Sequence, residues 1–480
     1  MLADLPIAGG AAENFPVLEF AKYLAHSCAT RVQILGQHIF RENFALDFKR
    51  GKIIHCTVKR LFENCFIPHN AFQSSEQIAV VLYNIFLTIK NKLILNPILC
   101  FLSTRKAIFA RLLTILSLRE SARAIIGRRI RRIKFAHGAD GSNMTAVVCD
   151  EPGKLSLRTT QRPLRPDGEV LLRIRRIGIC GTDYHIFAGL HPFLEYPRVM
   201  GHELSAIVDA ADSASKFKVG QLVVVNPYLA CGVCHACKNA KPNCCMKIQV
   251  LGVHRDGGMG EWLCLPEKNI IPADGLSADA AASVEFLAIG AHAVRRSGMK
   301  SGASALVIGA GPIGLGAALF AQIAGGEVTV MDRDLARLEL ASAATGISRT
   351  ILADATAPEN VFQSTQGNGF DAVFDATGNR ASMESSFGHV AHGGSYVMVG
   401  LVKENITFFD PDFHKREMTL MASRNATAQD FEQVISAVKS GYIPISKLIT
   451  HRTSLAEAIT MLPFWAHEKN GLIKAIIEIE

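Results

Sequence analysis

Between Met144 and about residue 290, short apolar runs alternate with glycine- and proline-containing turns. MTAVVCDEPGKLSLR, beginning at Met144, reads as a first strand. VLLRIRRIGIC (170–180) and QLVVVNPYLAC (221–231) are strand-like by their β-branched content. This pattern predicts a compact β-rich domain. From Ser301 the period changes. ALVIGAG (305–311) leads into the helical stretch PIGLGAALFAQIAG (312–325), then EVTVMD (327–332) and the helical ARLELASAATG (336–346). DAVFDATG (371–378) and GGSYVMVG (393–400) follow. Strands alternating with helices predict an α/β fold with a doubly wound parallel sheet. A helix over 430–440 and a final strand over 472–479 are expected to return to the first domain. The pattern before Met144 is different. Apolar stretches there alternate with basic clusters such as RRIRRIKF (128–135), with no repeat, motif or metal spacing. The organisation expected is an unassigned extension over 1–143, a β-rich catalytic domain over 144–293, a dinucleotide-binding domain over 294–424 and a C-terminal return over 425–480.

Charge sharpens this division. The 480 residues carry a formal net charge of +8, which invites a nucleic-acid reading. Residues 1–143 alone hold 20 Lys+Arg and 9 Asp+Glu, a net of +11, and the rest hold 31 and 34, a net of −3. The near-neutral remainder suits an enzyme acting on small molecules, not a nucleic-acid binder. The most apolar run, Ile78 to Ile89, ends at Lys90-Asn91-Lys92 and is too short to span a bilayer. The first residues, MLADLPIAGGAAENF, have neither the basic nor the apolar region of a secretory signal. A cytoplasmic protein with no membrane partner is expected. Two readings of the prefix stand. A basic amphipathic helix near 105–135 could touch a membrane surface or an anionic partner. Alternatively, an upstream start codon chosen in error would produce such a prefix ahead of Met144, and this is the expectation.

Gly309-Ala310-Gly311-Pro312-Ile313-Gly314 is a GxGxxG directly after an apolar strand and opening a helix. The glycines allow a tight turn, close approach of a pyrophosphate and close helix–strand packing, and the helix N-terminus meets the phosphate charge. Asp332 lies 18 residues past Gly314, at the end of the next strand. It is expected to accept hydrogen bonds from the adenosine ribose and to repel a 2′-phosphate, favouring NAD over NADP. Arg333 follows and could soften that preference.

Of the twelve cysteines, five (Cys231, Cys234, Cys237, Cys244 and Cys245) fall within fifteen residues. In a large chain without a signal peptide such a cluster points to metal ligands in a reducing compartment. Cys231, Cys234, Cys237 and Cys245 can close one tetrahedron, the mark of a structural zinc, and Cys244 competes as fourth ligand by adjacency. A second site must be assembled from separated residues: Cys180 in CGTDYH, His202 and Glu203 in GHE, and Glu285 in SVEFLAIG. One thiolate, one imidazole and carboxylates make an open zinc site with room for water or substrate.

These motifs carry a family resemblance. IGICGTDYHIF, YPRVMGHE, CGVCHACKNAKPNCC, LGVHRDGG and VIGAGPIGLG make the segment 144–480 similar to zinc-containing medium-chain dehydrogenases over essentially its whole length. Within them it most resembles the polyol and sugar-acid branch, with sorbitol, L-idonate and L-gulonate 5-dehydrogenases and the starvation-sensing group. The resemblance implies a GroES-like catalytic domain joined to a Rossmann domain. It implies two zinc ions per subunit, one catalytic and one structural, and a homo-dimer or homo-tetramer. It implies that Cys180 and His202, with Glu203 or Glu285, hold the catalytic zinc, and that Cys245 is preferred over Cys244 in the structural loop. The family's GHExxG is GHELSA here, with Ala206 for glycine, and Asp212 stands where a small residue is usual.

The reaction expected is oxidation of a secondary alcohol of a polyol or sugar acid, such as an aldonate 5-hydroxyl, with hydride transfer to NAD. Thr182 and His185 are the expected proton relay, although Thr182 could instead be a helix N-cap. An aldonate would need a cation near its carboxylate, and Arg424, His254, Arg255, Arg198 and His451 are candidates. L-threonine and simple secondary alcohols are alternative substrates. A non-catalytic NAD-binding regulator is the alternative of another class, but it would be expected to have lost Cys180 or His202.

Overall fold

A computed structural model describes residues 142–191 and 194–480. The basic extension, its four scattered cysteines and the helix expected near 105–135 lie outside the described residues. No described helix is long and apolar enough to cross a membrane.

The first half is organised around the strand Glu169–Ile179. Its buried Val170, Leu172, Ile174, Ile177 and Ile179 pack into one core with Leu204, Ala206 and Val208 of the neighbouring strand Glu203–Ala210. The sheet runs Ile270–Pro272, Leu222–Val225, Glu203–Ala210, Glu169–Ile179, Lys474–Glu478, Ile449–Ser454, and Trp262–Pro266 pairs with the start of Glu169–Ile179. The chain's last strand therefore lies beside one of its first, with Ala475 opposite Ile179. Ala206 sits inside this sheet, opposite Ile174 and Val223 and fully buried, so the extra methyl is absorbed by packing. Asp212 pairs with Arg165 at 2.5 Å and accepts from the Gly168 backbone at 2.9 Å, which ties down an edge turn. Both departures from the family pattern thus concern local packing.

The second half is a six-stranded sheet in the order Thr350–Leu352, Glu327–Asp332, Ser304–Ile308, Phe370–Asp375, Val390–Met398, Thr419–Ala422. Every pairing in it is parallel. Ala305, Leu306 and Val307 are all fully buried, because helices cover both faces of the sheet. That is why these strands read as continuous apolar runs rather than alternations. The helix Val284–Ser297 packs against the helix Pro312–Ile323 that follows the glycine turn, and so carries Glu285 in its first turn next to the dinucleotide half. The helix expected over 430–440 is Ala428–Lys439.

Candidate metal and dinucleotide sites

The loop between the paired short strands Tyr228–Leu229 and Gln249–Val250 brings the sulfurs of Cys231, Cys234, Cys237 and Cys245 within 4.8 Å of one another. Cys234 lies 3.5 Å from Cys237 and 3.9 Å from Cys245, sulfur to sulfur. Cys244 is exposed and outside the group, whereas Cys245 is buried within it. Backbone N–H groups point at these sulfurs. Those of Cys231 and Lys247 each lie 3.3 Å from the Cys245 sulfur. Those of Cys237 and Met246 hold the Cys234 thiol down at about 6. Backbone N–H groups thus favour the thiolate, the form that binds metal, at Cys231 and Cys234, whereas burial and the neighbouring sulfurs push the Cys237 thiol up. All eight described cysteines are free of disulfides.

The second cluster forms where three elements meet. Cys180 ends the strand Glu169–Ile179 and is the N-cap of the helix Gly181–Phe187. Thr182 therefore lies within that helix, and His185 follows it by one turn on the same face. His202 and Glu203 open the adjacent strand. Ligand atoms of Cys180, His202 and Glu203 lie within 4.8 Å of one another. Glu285 lies outside that trio. It accepts a hydrogen bond from the Tyr228 hydroxyl, and burial pushes its carboxyl up to about 7.

Two observations fit a cation at this centre. The buried Nδ1 of His202 has no hydrogen-bond partner, and an orphaned buried nitrogen needs one. Burial opposes a positive charge on His202, yet the Cys180, Asp183 and Glu285 charges outweigh it and hold that imidazole's pKa well above the usual value. The cluster is built to surround positive charge.

Three residues that sequence reasoning missed hold the cluster in shape. Asp183, fully buried, accepts from the Cys180 backbone at 2.9 Å and from the Gly201 backbone at 3.3 Å, so one carboxylate ties both arms together. Lys474, on the last strand and 1% exposed, reaches both Glu203 oxygens at 2.7 Å and the Ile179 carbonyl at 3.1 Å. Its ammonium also sits 4.4 Å from the Phe286 ring centroid. Tyr228 engages Glu285. Gly178 stands opposite Glu203, and a Cβ there would collide with the Glu203 carboxylate, so the close approach requires glycine. The available signal for Lys474 was a lysine inside the otherwise apolar LIKAII (472–477).

The glycine turn joins Ser304–Ile308 to the helix Pro312–Ile323, with Gly311 at the N-cap and Pro312 at the first helical position. Gly309 is left-handed at φ +98°, and a methyl on Gly314 would run into the Gly309 carbonyl. Asp332 ends the next strand, as expected, and its carboxylate accepts from the Ala310 backbone at 2.7 Å and from Asp334 at 3.0 Å. A cleft of about 1210 Å³ runs from Asp332 and Arg333 past Gly309 and Gly311 to Gly181 and Tyr184, on the helix capped by Cys180. That cradle fits a dinucleotide: it has a helix N-terminus for phosphate, an acidic residue for ribose and a path to the metal cluster.

Residues 166–275 match the alcohol dehydrogenase GroES-like domain family, and residues 312–440 match the zinc-binding dehydrogenase family. The chain is 42% identical over 339 residues to L-galactonate-5-dehydrogenase of Escherichia coli (strain K12), covering 70% of this chain and 99% of that one. It is 29% identical to sorbitol dehydrogenase of Bacillus subtilis (strain 168), covering 70% of this chain and 97% of that one. Among solved structures, the alcohol dehydrogenase rspB of E. coli CFT073, complexed with NADH, superposes with a TM-score of 0.67 at 28% identity. That match covers 71% of this chain and all of the other.

Proposed function

The chain belongs to the zinc-type medium-chain alcohol and polyol dehydrogenase family, and from that premise we propose that Cys180, His202 and Glu203, with Glu285 beside them, hold a catalytic zinc at the end of the dinucleotide cleft. The enzyme is a zinc-dependent, NAD-linked oxidoreductase of secondary alcohols, and its relatives act on sugar acids and polyols. The observation that carries the residue assignment is the Cys180/His202/Glu203 trio, whose buried His202 nitrogen lacks a partner, with the two neighbours of Cys180, Ile179 and Gly181, lining the cleft that also holds the glycine turn. Cys231, Cys234, Cys237 and Cys245 hold the structural zinc. The catalytic part is residues 144–480, in the order catalytic domain, dinucleotide domain and C-terminal return.

When bound, the catalytic zinc acidifies the substrate hydroxyl and NAD accepts the hydride. The protein's own residues do the rest. Lys474 holds Glu203 by both oxygens, and Asp183 fixes the Cys180 and Gly201 backbones on either arm, so the trio is set before substrate arrives. The Thr182 hydroxyl takes the substrate's proton, and His185, one turn on, passes it to solvent. Partial desolvation and the charges of Lys469 and Lys403 hold His185 below the usual histidine pKa. Its base form therefore persists to lower pH than an unperturbed histidine's. The acid limb of kcat/KM is therefore expected at lower pH than an unperturbed histidine would place it. His185→Gln should lower kcat on the order of 10- to 100-fold and remove that acid limb. A pH–rate profile from 5 to 9 checks this, and an unchanged limb in the variant would assign it to another group.

The function is tested with a panel of aldonates, polyols and L-threonine, offered with NAD and with NADP, by following reduced-cofactor absorbance. Turnover of a polyol or aldonate is expected, with NAD favoured at least about 10-fold because Asp332 meets the ribose hydroxyls. L-threonine as the only substrate, or a preference for NADP, would contradict this reading.

A further inference from the structure

The cations around the candidate site are not equivalent. Arg198 is engaged by Asp256 at 3.3 Å. The His451 ring packs edge-on against Trp465, with centroids 5.7 Å apart. Arg424 differs from both. It follows the strand Thr419–Ala422, at the carboxyl end of the parallel sheet, where ligands of such sheets bind. The strand ending in Asp332 lies on one side of Ser304–Ile308, and the three strands leading to Arg424 lie on the other. A dinucleotide whose ribose meets Asp332 therefore extends its nicotinamide half toward the Arg424 side. The reacting substrate must sit there too.

The backbone at Arg424 is locked. Its carbonyl accepts from Asn243 Nδ2 at 3.0 Å, and Asn425 Nδ2 donates to the Asn243 carbonyl at 3.2 Å. Ser423 N–H donates to the Met398 carbonyl at 2.9 Å. Asn425 is held left-handed at φ +52°. Asn243 is itself anchored 3.2 Å from His292 Nε2, and His292 Nδ1 lies 2.9 Å from Asp430, which also pairs with Arg295. Yet among the described residues no carboxylate pairs with the Arg424 guanidinium. A fixed backbone carrying an unspent guanidinium is what recognition of an external carboxylate requires.

The other domain approaches the same place. The loop that carries His254 is bonded to the segment leading into His202: Gly257 N–H donates to the Val199 carbonyl at 2.7 Å and Met259 N–H to the Met200 carbonyl at 2.9 Å. Val250, which pairs with Tyr228 beside Glu285, donates its N–H to His254 Nδ1 at 3.1 Å. His254 lies close enough to Arg424 for the guanidinium charge, after burial, to hold its pKa below the usual value, which places Arg424 beside the loop tied to His202.

We propose that Arg424 is the carboxylate-binding subsite of this enzyme, and that its substrate is a polyhydroxy acid rather than a neutral polyol. The guanidinium grips the carboxylate while a hydroxyl further along the chain meets the catalytic site. This assignment rests on the dehydrogenase reading above.

The test uses the zinc-loaded full-length enzyme with an aldonate and its matching neutral alditol, here L-galactonate and galactitol. In Arg424→Gln, the ratio of kcat/KM for aldonate over alditol is expected to fall on the order of 30- to 100-fold, with the loss in KM rather than kcat. Arg424→Lys should recover part of the ratio, because it restores the charge without the fork. NADH binding, read by fluorescence, confirms that each variant is folded. An unchanged ratio, equal losses on both substrates, or a wild type that oxidises alditols alone would overturn the carboxylate subsite and leave the dehydrogenase reading intact. A wild type that oxidises neither class would overturn both.

Discussion

Replacing His202 by alanine is expected to lower kcat/KM by about three orders of magnitude or more while the protein keeps its fold and its affinity for NADH. A thousandfold loss corresponds to about 4 kcal/mol of transition-state stabilisation, the scale of Lewis-acid chemistry. The residue is well placed for so large an effect. It is buried at 5% exposure, its Nδ1 is orphaned, and it stands with Cys180 and Glu203 in one ligand set. Removing the imidazole leaves a thiolate and a carboxylate, too few for a stable open site. Metal analysis should fall from two zinc ions to about one per subunit. The glycine turn and Asp332 belong to other elements, so NADH titration should match wild type. A variant that retained more than about a tenth of wild-type kcat/KM, or both zinc ions, would remove His202 from the assignment.

Replacing Cys234 by serine is expected to remove the other zinc and to act first on stability. Four sulfurs within 4.8 Å of one another, fed by backbone N–H groups, make a closed set with no opening for substrate. The lobe has little else to hold it. The two-stranded pair at its base is only two residues long on each side, and the Cys234–Lys238 segment buries none of its helical residues. Metal binding there is folding energy for the lobe. Loss of that metal should lower Tm on the order of 5 °C. Because Asn243 lies inside the lobe and bonds the Arg424 carbonyl, KM for an acidic substrate should rise as well. Calorimetry alongside metal analysis checks this. An unchanged Tm with one zinc ion missing would mean that the lobe folds without it.

What could be read from sequence was local. The four-cysteine spacing and the GxGxxG turn each fit within a short stretch of chain, and their meaning depends on neighbours a few residues away. The parallel strands were also legible, because burial on both faces leaves an unbroken apolar signature. The open metal cluster was harder to read. Its residues come from separated segments, and only the coordinates show that Glu203 stands with Cys180 and His202 while Glu285 accepts from Tyr228. Hidden altogether were the residues that act across long sequence separations. Asp183 looks like an ordinary first-turn acid until its second bond, to the Gly201 backbone, is seen. Asn243, His292 and Asp430 lie on three separate elements and form one chain of contacts. Polar residues of this kind carry no periodicity, so their partners cannot be inferred from pattern.

The bond between Lys474 and Glu203 spans 271 residues of sequence, and this sets an order of events during synthesis. The cysteine lobe, closed by residues 231–245, can capture its metal while the chain is still being made. The other cluster cannot reach its final form at that stage, because the lysine that restrains Glu203 arrives with the last strand. The strand that brings Lys474 to Glu203 is also the one that pairs with Glu169–Ile179, so the sheet and the cluster are completed by the same segment.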